Sequence, residues 1–72
     1  MKLFDGLEKQ IYTVKMMSLP AKTGKRLEAL GMIAGTQISI LNKKKSAVII
    51  AIRGTRLALG KSITSNIEVK EI

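Results

Sequence analysis

Seventy-two residues with no histidine and no cysteine leave little room for chemistry: the commonest general base, the commonest metal ligand and the best nucleophile are all missing. Hydrophobic residues make up 46% and charged residues 25%, the balance of a folded chain. The formal net charge of +8, from thirteen basic and five acidic residues, predicts attraction to something acidic and excludes nothing about the fold.

A chain this short buries only about 60% of the surface it exposes when unfolded, and it has no cleft between domains for a cofactor. Residues 1–72 are read as one domain with no cofactor. The aromatics are Phe4 and Tyr12 alone, so the core must be aliphatic. The opening MKLFDGLEKQ carries Asp5 and Glu8 where a signal peptide needs an unbroken apolar stretch. The longest apolar run, residues 47–52, is too short to span a bilayer. Without disulfides and without a membrane span, the expectation is a soluble cytoplasmic protein.

Along the chain, Leu3, Phe4 and Leu7 form an apolar N-terminal cluster. Residues 11–17 mix β-branched, aromatic and methionine side chains and predict the first strand. Pro20 stops it, because proline lacks the amide hydrogen a ladder needs, and suits the first turn of a helix instead. The spacing predicts that helix over residues 22–30, with Leu27 and Leu30 on one face. Gly31 fits the left-handed position just past its end, which should fold Met32 back onto Leu27.

Gly35 marks a second turn. Residues 36–42 alternate, with Ile38 and Ile40 on one face, and predict a half-buried strand. Residues 42–46 read as a lysine-rich turn. Residues 47–52 are apolar on both faces, which predicts a central strand or one that keeps a second face for a partner. Gly54-Thr55 reads as a two-residue hairpin turn that sets Arg53 opposite Arg56. Residues 56–59 return, residues 60–66 make about one helical turn, and residues 67–70 close the sheet. The expected architecture is mainly β: a small closed barrel of about five strands with one short α-helix, closure removing the exposed edges.

The five carboxylates show no spacing that would place two around a substrate, and nothing activates a serine. Gly60-Lys61-Ser62 resembles the end of a phosphate-binding loop, but the glycine that the motif needs five residues before Gly60 is Thr55. Met16 and Met17 are adjacent and point to opposite faces of a strand, so at least one fills the core; no metal site is expected. The chain is not expected to be an enzyme.

The stretch Arg26-Leu27-Glu28-Ala29-Leu30-Gly31-Met32-Ile33-Ala34-Gly35-Thr36 resembles the FeoA family, small cytoplasmic companions of the bacterial ferrous-iron transporter FeoB. Ala34 stands where proline is common in the family. Residues 50–59 are similar to the family's second hairpin and residues 67–69 to its closing strand. The resemblance implies a Src-homology-3-like (SH3-like) barrel and a role in ferrous-iron uptake by contact with the transporter's cytoplasmic GTPase region. Leu27, Leu30, Gly31, Gly35 and Gly54 match the pattern as structural positions. Arg26 and Met32 beside the helix end, with Arg53 and Arg56 at the hairpin, are the candidates for partner binding, since Met and Arg are enriched at interfaces. The competing readings are a nucleic-acid-binding barrel, motivated by the charge, and a metal-sensing domain, which the absent His and Cys disfavour.

Overall fold

A computed structural model describes residues 1–72. Its strands are β1 (Ile11–Met17), β2 (Gln37–Lys44), β3 (Ala47–Ile52), β4 (Thr55–Gly60) and β5 (Ile67–Glu71); its helices are α1 (Ala21–Ala29) and the single turn α2 (Lys61–Thr64). A 3₁₀ turn, Leu3–Asp5, precedes β1. The strands form one antiparallel sheet in the order β4-β3-β2-β1-β5.

The alternation read from sequence sets the core. Tyr12, Val14, Ile38, Ile40, Val48, Ile50, Ile52, Leu59, Ile67 and Val69 all turn to the inner face and are buried. One sheet can bury so many side chains against one another only by curling, and two irregularities help it do so. The β1–β5 register shifts between Val14 and Met16, and the β2–β3 register between Ile40 and Asn42. Bulges of this kind bend a strand and raise its twist. They also reverse the phase: after Lys15, Met17 rather than Met16 packs on the core, and Met16 is left 59% exposed.

The N-terminal segment plugs one end. Leu3 is fully buried, and the Leu7 N–H donates to the Tyr12 hydroxyl at 2.9 Å. Gly6 is buried against Ile40 and Tyr12, with no room for a side chain. Leu7 itself is 63% exposed, so the expected apolar cluster reduces to Leu3 and, in part, Phe4. Lys2 bridges to Glu68, and the Val69 N–H donates to the Met1 carbonyl at 2.7 Å, so the first two residues cover the outer edge of β5. The amino group of Met1 and the Lys2 ammonium both pair with Glu68. The hydrogen bond from the terminal amine, more than the lysine, holds the Glu68 carboxyl below its ordinary value of 4.5.

The barrel is not closed by hydrogen bonds. No ladder joins β4 to β5, which corrects the expectation that every edge is paired. Instead α2 connects the two edge strands, with Thr64 fully buried and its hydroxyl donating to the Gly60 carbonyl at 3.1 Å. Helix α1 begins just after Ser18, whose N–H donates to the Asn66 carbonyl at 2.8 Å beside the start of β5. It ends near the tip of the β3–β4 hairpin, where the Arg53 side chain lies on Gly31.

Candidate functional site

Helix α1 ends as its sequence demands. Gly31 sits at φ +99°, the Gly31 N–H donates to the Glu28 carbonyl at 2.9 Å, and the Met32 N–H donates to the Leu27 carbonyl at 3.0 Å. This is the paired 5→2 and 6→1 pattern of a Schellman cap, whose hydrophobic partners here are Leu27 and Met32, both in the core. Gly35, at φ +93°, returns the chain to the sheet, and its N–H donates to the Val14 carbonyl at 2.8 Å.

The cap decides two of the sequence assignments. Met32 is 0% exposed, so it offers nothing to a partner and leaves the candidate set. Leu30 does not share the buried face of Leu27. It occupies the cap position at φ −88° and ψ 0°, where the helix has already ended, and it is 41% exposed. Ile33, two residues past Gly31, is 44% exposed. Two large aliphatic side chains therefore stand in solvent on either side of the cap.

The hairpin differs from expectation by one position. Ile52 pairs with Thr55 and Ala51 with Arg56, so the turn residues are Arg53 and Gly54 rather than Gly54 and Thr55. Both have positive φ, +49° and +80°. That is the sign pattern of a type I′ turn, whose twist suits a hairpin. The register also removes the Arg53–Arg56 cross-strand pair, in which like charges would face each other. Gly54 keeps its structural role, but Arg53 holds a conformation that non-glycine residues reach at a cost of about 1–2 kcal/mol.

This strained residue reaches across to the helix. The Arg53 side chain lies on Gly31, its Cδ 3.0 Å and its Nε 3.4 Å from the position a Cβ there would take. The helix end and the hairpin tip, far apart in the chain, thus meet in one surface. Exposed Arg53 meets the cap there, exposed Leu30 and Ile33 flank Gly31 along the chain, and exposed Arg26 lies in the last turn of α1. Arg56 is exposed on the outer face of β4, opposite Ala51. The signal that would have found Leu30 and Ile33 is their position flanking the cap, since an i, i+3 spacing stops implying a shared face once the helix ends.

No other arrangement competes. No three His, Cys, Asp or Glu side chains come together, and no helix is long and apolar enough to cross a membrane. A shallow hollow of about 450 Å³ lies at the other end of the sheet between the segment before β1 and the end of β5, lined by Leu7, Lys9, Ile11, Tyr12, Glu71 and Ile72 among others. Tyr12 is 1% exposed, and half-buried Phe4 has the ammoniums of Lys43 and Lys61 at 5.5 and 5.3 Å from its ring centre.

A curled five-stranded antiparallel sheet with one short helix packed beside it defines a small SH3-like domain. The FeoA domain model matches residues 1–71, and the chain belongs to that family. Among solved structures it is similar to an iron uptake regulatory protein (FeoA), at 20% identity and TM-score 0.89, covering 100% of this chain and 97% of that one. It is similar to the FeoA protein of Chlorobium tepidum at 19% identity and TM-score 0.93, covering 100% of this chain and 70% of that one. A manganese-dependent transcriptional repressor contains the same fold, at 16% identity and TM-score 0.89, this chain being covered fully and spanning 41% of the repressor chain. By sequence, no curated protein matches the chain.

Proposed function

We propose that this chain is an accessory protein of bacterial ferrous-iron uptake that works in the cytoplasm. It acts by contact with the GTPase region of a FeoB-type membrane transporter, and it is not an enzyme. The observation that carries this reading is Arg53: it is strained at φ +49°, exposed, and held over Gly31 beside exposed Leu30 and Ile33. The type I′ turn accounts for the backbone of Arg53 but not for its side chain: an arginine where asparagine is preferred, laid exposed over the helix cap, is a local cost of the kind that clusters at functional sites. Membership of the FeoA domain family supports the link to iron transport.

The test is a titration of the isotope-labelled protein with the soluble GTPase region of the transporter. Amides of residues 30–33 and 53–56 should shift. Arg53→Asn should improve the turn, because Asn-Gly is the favoured type I′ pair, and should still weaken binding. A variant that is more stable and binds equally well would refute the role given to Arg53.

The nucleic-acid reading rests on the net charge of +8. Base-stacking modules present free aromatic faces, and here one aromatic ring is buried and the other is flanked by lysines.

A further inference from the structure

Helix α1 carries a charge pattern that the fold does not use. Lys22, Lys25 and Arg26 are spaced i, i+3 and i+4, and at about 100° per residue they fall within one arc of about 100°. With Thr23 they line a shallow depression of about 490 Å³ that contains no apolar side chain and no carboxylate. All three cations are exposed. None has an ion-pair partner, because both salt bridges of the molecule involve Glu68. Like charges at these spacings destabilise a helix. This helix has little to offset them: it buries only Leu27, on the opposite side of its axis, and has a glycine, Gly24, in its interior.

Glu or Asp at i±3 or i±4 would offset this repulsion. Glu28 is the only carboxylate of α1, and it pairs with none of the three. The face is continuous with the surface described above, because Arg26 belongs to both. We infer that the outer face of α1 is the electrostatic half of the docking surface and receives an acidic, carboxylate-bearing face of a partner protein. This rests on the docking reading and specifies the chemistry of the partner. Complementary charge supplies steering and register, while the apolar patch at the helix end supplies contact area. A nucleic-acid occupant is disfavoured, because no aromatic side chain borders the depression.

The experiment measures affinity for the transporter's soluble GTPase region at two salt concentrations. The proteins compared are the parent, Lys22→Glu/Lys25→Glu, Arg53→Asn and Gly24→Ala. A single-stranded oligonucleotide is titrated in parallel, and circular dichroism confirms that each variant folds. The double reversal should weaken binding by about tenfold at low salt and flatten its salt dependence. Gly24→Ala has open space for its methyl group and lies away from the cation arc, so it should raise the melting temperature by about 3–6 °C and bind as the parent does. Parent-like affinity and salt dependence in the double reversal, with Arg53→Asn weakened, would overturn this inference and leave the docking reading in place. A parent that does not bind the GTPase region would overturn both. Tighter binding to the oligonucleotide, abolished by the reversal, would overturn it in favour of nucleic acid.

Discussion

Replacing Gly31 with alanine isolates the hinge between helix and hairpin. Two costs arise at that one atom. At φ +99° an L-residue is held in the left-handed region, which costs about 1–2 kcal/mol. The new Cβ also meets the Arg53 Cδ at 3.0 Å, but that atom lies well along a flexible, exposed side chain and can move aside, so the steric part is small. A loss of about 1–2 kcal/mol lowers the melting temperature of a domain this size by roughly 4–16 °C. Thermal melts of Gly31→Ala, Arg53→Ala and the double variant separate the two terms. If backbone strain dominates, the loss in Gly31→Ala persists nearly unchanged on the Arg53→Ala background. Parent-like melting of Gly31→Ala would refute the cap, and full rescue by Arg53→Ala would refute the ranking of the two costs.

Gly6→Ala should destabilise the fold by about 1–3 kcal/mol, read by denaturant melts, because its methyl group would run into the buried Ile40 side chain and approach Tyr12 Cε2 to 3.1 Å. Tyr12→Phe removes the acceptor of the Leu7 N–H and should cost about 1 kcal/mol with little change in the core. Because the Glu68 carboxyl is held below its ordinary value, its ion pairs add stability above about pH 4.5 and lose it as the pH falls through the folded value. Glu68→Gln should therefore flatten that part of the acid-stability profile, and a profile identical to the parent's would count against the pairing.

Where inner and outer faces alternate, the chain was readable. The bounds of β1 and β3 match the sequence reading residue for residue, and α1 differs by one residue at each end, because Ala21 joins the helix after Pro20 and Leu30 leaves it. The polar residues 42–44 looked like loop. The irregularity after Ile40 reverses the phase, turning Lys43 toward Phe4 and carrying β2 on to Lys44. The hairpin slipped because Gly54 satisfies either register, and only the avoided arginine pair distinguishes them. Of the four residues nominated for binding, three are exposed where a partner could meet them; Met32 is buried because the glycine cap that was correctly read commits it to the core. The joining of Arg53 to Gly31 is a contact across twenty-two positions of chain, and no local pattern encodes it.

The gap between β4 and β5 has a mechanical meaning. A sheet whose two ends are not laced together has a seam, and thermal opening starts at a seam. Deuterium should enter first along the free side of β4 and in the thinly packed α1, and last in β2, which has a bonded neighbour on each flank. The helix that bears the unpaired cations is thus among the first parts of the molecule to loosen, and a partner that grips it would tighten it.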